Sequence, residues 1–507
     1  MVAEDFAASA RREESEWRAP ASTTERSEGV VAQRPNNAAI AAKDPRGRAK
    51  TVSDCGSLYR HAIGLFAALW LTACAPVSRP DLQRLYRTAG QADVPPLIVI
   101  HGVLGARLRN PAGEEVWPGG LSKLAFSSYP DLALPVTGDE PVHPLEAYAL
   151  FDQAAGRDFY GSIVRTLEQA GGYRRAEAGQ PPGAGRHYYL FIYDWRRDNV
   201  ATVGKLDALI EQIRRDHRRP QLKVDIVAHS NGGLVSRYYA RFGTHDWLDG
   251  NDFPVSGEGA AKIRRLILLG TPNFGSLQSL RSFIEGAEVG FRRIPPEVLL
   301  TMPSAYQLFP HALNDWLLNA KGDPLQRDLF DVELWRRFQW AVFDAAVRAR
   351  IVKGLDDPAR QAARLEQYEA YFARHLERAR RFTWSLSVPD RLTRLRPIVF
   401  GGDCELTPAR LLVEEVNGES VLRLYPKEIR QPRAGIDYGM LMLEPGDGTV
   451  TKASLLARES LDPSVPRHPW IRFDYDYAMF LCERHDQLTG NPSFQDNLLQ
   501  ALLSQDR

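Results

Sequence analysis

Residues 224–239 have the sequence VDIVAHSNGGLVSRYY, which combines two patterns of secondary structure around one serine. The apolar residues at its start predict a buried strand, and the residues after the glycines predict a helix. Ser230 lies in the short turn between them, and a sharp turn from strand to helix exposes a serine hydroxyl. Such a turn needs small residues two positions before and after the serine, which are Ala228 and Gly232 here. The segment therefore predicts a nucleophilic serine; the alternative is a serine that only caps a helix.

Three further apolar runs predict strands of the same sheet. They are residues 97–100, 190–193 and 264–269. Two of them end in glycine-containing loops, at residues 101–105 and 270–275, and residues 203–214 have a helical pattern. Alternation of strand and helix is typical of a parallel sheet with helices on both faces. We predict an α/β fold with a doubly wound, mostly parallel sheet.

The residues that would activate Ser230 are sought after it in the chain, because this turn is followed by the acid and then by the histidine. The histidines that meet this condition are His245, His311, His375, His468 and His485. His485 fits the base best, since it lies in a polar loop ahead of the last helical pattern. Asp403 and Asp447, each at the end of a predicted strand, are both candidates for the acid.

Six segments, taken in chain order, resemble the lecithin:cholesterol acyltransferase family. They are GVLG at 102–105, YDWR at 193–196, AHSNGG at 228–233, MPSAY at 302–306, GDGTV at 446–450, and His485. The family includes lysosomal phospholipase A and phospholipid:diacylglycerol acyltransferases, and the resemblance extends from about residue 95 to the end. It implies the α/β-hydrolase fold and makes Asp447, rather than Asp403, the acid of a triad with Ser230 and His485. His101 is a departure, because many members have proline there.

The resemblance implies an acyl-enzyme on Ser230, formed from a phospholipid or another lipid ester. Its oxyanion would be bound by the backbone N–H groups of Val103 and Asn231. A lipid hydrolase and a lipid O-acyltransferase both fit, and a non-catalytic lipid-binding or scaffolding lipoprotein on the same fold is the alternative.

The 64 basic and 63 acidic residues give no field that attracts nucleic acid. No cofactor is expected, and no C-x-x-C pair suggests a metal site.

An export signal is predicted near the N-terminus. Arg60 and His61 precede an apolar run over residues 62–70, and the sequence LTAC follows, ending at Cys74. The run is shorter than the roughly 20 residues that span a bilayer. It resembles a bacterial lipoprotein signal, with a buried helix as the alternative. We expect translation to start near Val52 and Cys74 to carry a lipid that anchors the chain to a membrane surface in the cell envelope, at the outer membrane.

Six segments describe the expected organisation of the chain. They are a disordered or non-native extension (1–51), the signal peptide (52–74), a linker (75–94), the first part of the hydrolase core (95–274), a cap or lid insertion (275–395) and the second part of the core (396–507). Apolar stretches at 287–291 and 298–300 suit a mobile lid; a rigid cap is the alternative. Cys404 and Cys482 would be the thiols left after export, so they could form a disulfide.

Overall fold

The computed structural model describes residues 80–87, 94–137, 144–154, 157–390 and 392–504. The expected N-terminal extension, the signal peptide and Cys74 lie outside these residues. None of the helices within them is long and apolar enough to cross a membrane.

Seven strands form a central sheet in which every pairing is parallel. They are β1 (Leu97–Ile100), β2 (Tyr173–Arg175), β3 (Arg186–Phe191), β4 (Val224–His229), β5 (Ile263–Leu269), β6 (Ile398–Gly402) and β7 (Tyr477–Leu481). Their order across the sheet is β7-β6-β5-β4-β1-β3-β2. The predicted parallel α/β sheet is confirmed. The strand predicted at residues 190–193 begins earlier, at Arg186. Its first residues are polar, so an apolar pattern does not include them.

Helices cover both faces of this sheet. Successive side chains of a strand point to opposite faces, and Ile98 and Val99 accordingly lie in two different hydrophobic clusters. The cluster of Ile98 contains residues of α1 (Asn199–Asp216) and α2 (Asn231–Phe242). The other cluster contains residues of two helices, Gly161–Gln169 and Pro492–Leu503. Burial on both faces explains why the strand sequences are continuous apolar runs.

We refer to the chain between β5 and β6 as the cap; that it covers the active site, as predicted for residues 275–395, stays a prediction. Its helices are Leu277–Glu285, Pro296–Leu299, Pro303–Tyr306, Val332–Arg337, Ala345–Ile351 and α3 (Pro358–Ser387), and the strands Ala287–Val289 and Arg292–Ile294 form a hairpin. The apolar residues 298–300 are buried in the same cluster as Ile98. Phe291, between the two hairpin strands, is 90% exposed. The stretch 298–300 is therefore buried throughout, whereas 287–291 combines the buried Val289 with an exposed tip at Phe291.

Smaller elements complete the described fold. The further strands are Ala106–Arg109, Glu115–Trp117, Glu146–Leu150, Gln153–Ala154, Arg157–Asp158, Leu317–Leu318, Glu405–Pro408, Leu411–Val416, Glu419–Arg423 and Leu443–Gly446. The further α-helices are Leu82–Tyr86, Leu121–Phe126, Glu258–Ala261, Tyr438–Met442 and Lys452–Leu455. Short 3-10 helices are Pro130–Leu132, Ala341–Phe343, Pro426–Glu428 and His485–Gly490.

Candidate active site

Ser230 joins β4 to α2 in a strained turn. Its φ of 55° lies in the left-handed region, which residues with side chains rarely adopt. Two backbone hydrogen bonds hold it there. The Ser230 N–H donates to the Leu269 carbonyl at 2.8 Å, and the Gly233 N–H donates to the Ser230 carbonyl at 2.9 Å. A Cβ on Gly232 would lie 2.5 Å from the His101 carbonyl oxygen. The turn therefore requires glycine at position 232, which is the small residue expected there.

The structure brings the three proposed triad residues together at the C-terminal edge of the sheet. His485 Nε2 lies 3.0 Å from Ser230 Oγ, and His485 Nδ1 lies 2.8 Å from Asp447 Oδ2. The His485 N–H also donates to the Asp447 carbonyl at 2.9 Å, so side chain and backbone are held by the same residue. These distances allow a proton to move from Ser230 to His485 while Asp447 orients the ring.

Asp447 is prepared as a fixed hydrogen-bond acceptor. It is only 2% exposed, and its other oxygen, Oδ1, accepts the N–H groups of Thr449 at 2.9 Å and Val450 at 2.7 Å. The competing acid, Asp403, is instead 3.0 Å from the Lys452 ammonium and has no contact with His485 among the described hydrogen bonds. The geometry thus distinguishes Asp447, which contacts His485, from Asp403, which does not, although position in the sequence allowed either.

The charge of Asp447 tunes His485 toward the role of a base. Burial by itself lowers the pKa of His485, but the Asp447 charge, its hydrogen bond and the nearby Asp486 raise that pKa above the ordinary value. The imidazolium that forms when the ring takes a proton is therefore stabilised where it arises.

Two backbone N–H groups adjoin Ser230 without internal partners. Val103 and Asn231 donate no backbone hydrogen bond to any residue that the structure describes. The loop of Val103 approaches closely, since a Cβ on Gly102 would lie 2.7 Å from Ser230 Cβ. Their position agrees with the oxyanion donors expected from the sequence, and that role stays a prediction.

His101 fixes the peptide that carries the Val103 N–H. Its Nδ1 donates to the Gly102 carbonyl at 2.8 Å, while its Nε2 accepts the Tyr193 N–H at 3.3 Å. Burial lowers the pKa of His101 to about 4, which keeps the ring neutral with one donor and one acceptor. Gly105 N–H also donates to the Gly102 carbonyl, at 3.2 Å. Because C=O and N–H of a trans peptide point in opposite directions, these bonds set the direction of the Val103 N–H.

A second histidine, partly buried, joins the two loops beside Ser230, and its role was not predicted from the sequence. Tyr160 O–H accepts the Gly102 N–H at 2.8 Å and donates to His229 Nδ1 at 2.7 Å. His229 Nε2 in turn donates to the His485 carbonyl at 3.1 Å. Burial and the nearby His485 lower the pKa of His229 well below its ordinary value, so the ring stays neutral. Its position next to Ser230 was the available signal.

The side chain of Asn231 connects the site to the cap. It exchanges two hydrogen bonds with Asn199, at 2.8 and 2.9 Å. The Asn199 N–H donates to Gln307 Oε1 at 2.9 Å, and Gln307 donates to Asp198 at 3.0 Å. Asp198 is paired with Arg378 of α3 at 2.7 Å. A continuous polar network therefore runs from the second oxyanion donor to the longest cap helix.

Cys404 and Cys482 form a disulfide, with a Cα–Cα distance of 4.9 Å. They follow the neighbouring strands β6 and β7, whose last paired residues are Gly402 and Leu481. The bond thus ties together the loops that follow these two strands, and the loop after β7 carries His485.

Within the described ranges, no group of three or more His, Cys, Asp or Glu side chains could hold a metal ion.

Comparison with known proteins agrees with the resemblance seen in the sequence. The profile of the lecithin:cholesterol acyltransferase family matches residues 157–340, which confirms that resemblance over this part of the chain. A search of curated proteins finds no match.

The solved structures that match this chain have low sequence identity to it. A chain of the Tle4–Tli4 complex is 12% identical, with a TM-score of 0.49 over 80% of this chain and 98% of that one. Bacillus licheniformis lipase BlEst2 in its mature form is 12% identical, with a TM-score of 0.31 over 85% and 96%. Phospholipase PlaB from Legionella pneumophila is 14% identical, with a TM-score of 0.18 over 42% and 35%. At these values the similarities carry no weight for substrate or partner.

Proposed function

We propose that this chain is a serine-dependent lipid acyl hydrolase or O-acyltransferase that forms an acyl-enzyme on Ser230. The arrangement of Ser230, His485 and Asp447 carries the proposal, with contacts of 3.0 and 2.8 Å along it. The family match over residues 157–340 supports a lipid ester as the acyl donor.

In the first half-reaction, Ser230 Oγ attacks the ester carbonyl carbon while its proton passes to His485 Nε2. Asp447 stabilises the imidazolium, and the N–H groups of Val103 and Asn231 bind the oxyanion. When the intermediate collapses, the C–O bond to the leaving alcohol breaks and His485 returns the proton to that alcohol. Removal of one oxyanion donor typically raises a barrier of this kind by about 3–4 kcal/mol.

The second half-reaction uses the same groups with a new nucleophile. His485 removes the proton of a water molecule or of a lipid alcohol, which then attacks the acyl group on Ser230. Water yields a free fatty acid, and a lipid alcohol yields a new ester. Incubation with mixed phospholipids, with and without a sterol or diacylglycerol, followed by lipid mass spectrometry, distinguishes the two products.

The role of Ser230 is tested by covalent labelling. A fluorophosphonate probe should label the protein, and Ser230→Ala should abolish both labelling and ester cleavage. Ser464→Ala is a matched control, because Ser464 is an exposed loop serine. Undiminished cleavage by Ser230→Ala would contradict the role of Ser230 as the nucleophile.

We also infer from the sequence that diacylated Cys74 anchors the mature chain to the outer membrane. Mass spectrometry of the native N-terminus should find no residue before Cys74. Cys74→Ser should release the protein from the membrane fraction, whereas Cys55→Ser should leave it there. Native protein that retains residues before Cys74 would contradict the anchor.

A further inference from the structure

A cavity of about 610 Å³ lies apart from the triad, and arginines dominate its wall. The arginines are Arg237, Arg241, Arg394, Arg396 and Arg472. Asp390 and Asp474 are the carboxylates that line it. The wall thus has three more positive than negative side chains, although the whole chain is nearly neutral.

Two of these arginines belong to α2 and are buried. Arg237 donates to Asn273 Oδ1 at 3.0 Å and to the Leu386 carbonyl at 2.7 Å, and no carboxylate pairs with it among the described ion pairs. Arg241 donates to carbonyls at the end of α3 and lies 3.8 Å from Asp390. These bonds stabilise the C-terminus of α3, where a positive charge is favourable. They leave Arg237 without a full counter-charge.

Burial and the charge of Arg241 lower the pKa of Arg237 to about 9. The Arg237 guanidinium also lies 4.5 Å from the centre of the Phe473 ring, another lining residue. A bound anion would offset the repulsion between the two arginines, because opposite charges attract strongly where water is excluded.

Two further arginines of the lining make no contacts with described residues that would hold them in the fold. Arg394 and Arg396 are exposed, and neither makes a hydrogen bond or an ion pair with any part of the chain that the structure describes. They are two residues apart in a segment where exposed and half-buried positions alternate, so their side chains leave the same side. Such positions are roughly 6–7 Å apart along an extended chain.

The two carboxylates of the wall are already engaged. Asp390 accepts the N–H groups of Leu392 and Thr393, both at 2.9 Å, and so closes its own turn. Asp474 is paired with Arg472 at 2.7 Å. Neither is therefore available to neutralise Arg394 or Arg396.

We propose that this cavity binds a phosphate-bearing organic anion at a site separate from the triad. The planar guanidinium group matches two phosphate oxygens at once, and several such groups can surround one phosphate. The volume falls within the range of roughly 300–1,000 Å³ that is usual for small-molecule sites, which leaves room for the organic part. Such a phosphate belongs to a lipid headgroup or to a soluble phosphate ester, and the experiment below separates these sources.

Binding is measured on the full chain with Ser230→Ala, so that no lipid is consumed. One arm titrates glycerol 3-phosphate by calorimetry at low salt, and the other sediments the protein with phosphatidylglycerol or phosphatidylcholine vesicles. Arg394→Gln with Arg396→Gln is the test variant. Arg360→Gln with Arg433→Gln is the matched control, because both are exposed arginines outside the cavity and the change in net charge is the same.

We expect the test variant to weaken binding of glycerol 3-phosphate, or of phosphatidylglycerol vesicles, at least tenfold, while the control changes it less than twofold. A loss confined to the first arm identifies a soluble ester, and a loss confined to the vesicles identifies a headgroup. Absence of saturable binding in both arms, or equal losses in both variants, overturns the proposal. Because binding is read directly, such a failure leaves the proposed acyl transfer untouched.

Discussion

His101 offers a test of whether the geometry of one peptide sets the rate. In His101→Leu the Gly102 carbonyl loses the donor at 2.8 Å and keeps only Gly105 N–H at 3.2 Å. A neutral hydrogen bond is worth about 0.5–1.5 kcal/mol, which corresponds to roughly a twofold to tenfold change. Complete loss of an oxyanion donor reduces kcat about 10²–10³-fold. We therefore expect kcat to fall between about twofold and a hundredfold, with KM changed less than twofold.

The assay is steady-state cleavage of a soluble p-nitrophenyl ester, combined with inhibition by a trifluoromethyl ketone that forms an oxyanion on serine. Affinity for this inhibitor should fall in parallel with kcat, since both depend on the Val103 N–H. His101→Asn should restore much of both, because the asparagine amide can donate from a position close to that of Nδ1. Leucine also leaves Tyr193 N–H without its acceptor, so thermal unfolding is measured alongside.

The outcome that would refute this reasoning is a rise in KM with kcat unchanged. Equal defects in the leucine and asparagine variants that follow their loss of thermal stability would also refute it, since His101 would then serve only packing.

Three further predictions concern the acid, the base and the cap. Asp447→Asn should lower turnover by about 10⁴-fold, as loss of a triad acid does, whereas Asp403→Asn should be much milder; the reverse order in kcat measurements would contradict the assignment. Because the pKa of His485 is raised and the ring must be neutral to act as a base, kcat/KM should fall as pH drops through a value above about 6.5, and a pH profile of Asp447→Asn should move this limb downward. Phe291→Ser should reduce cleavage of micellar esters severalfold but leave monomeric esters unaffected, and a curve without a rise at the micelle-forming concentration would argue against this.

The sequence was informative where chemistry and burial leave a local pattern. The strand β1 was predicted at its observed bounds because both of its faces are buried, and Ser230 was recognisable because its turn requires a small residue at 232. His485 could be singled out by its polar loop and its place late in the chain. The choice of Asp447 over Asp403 needed the family resemblance, since both end strands.

Contacts between distant segments were not predictable in this way. The link from Tyr160 through His229 to the His485 carbonyl joins residues up to 256 positions apart. The hydrogen bonds of His101 with the Gly102 carbonyl and the Tyr193 N–H depend equally on how β1 and β3 pack side by side. Local patterns report burial and turns, whereas the direction of a buried donor depends on tertiary packing.

The environments of the two apolar cap stretches restrict which part of the cap can open as a lid. Val298, Leu299 and Leu300 are at most 8% exposed, and burial of such side chains contributes roughly 1.5–3 kcal/mol each. Lifting the whole cap would expose them and would also separate Arg378 from Asp198. Moving the whole hairpin Ala287–Val289 with Arg292–Ile294 would likewise expose Val289 and Ile294, which are 8% and 0% exposed, whereas Phe291 at its tip is already in solvent. If access to Ser230 is gated at a lipid surface, the exposed tip of the hairpin at Phe291 is therefore the part that can move at little cost, and the strands of the hairpin stay packed with the rest of the cap.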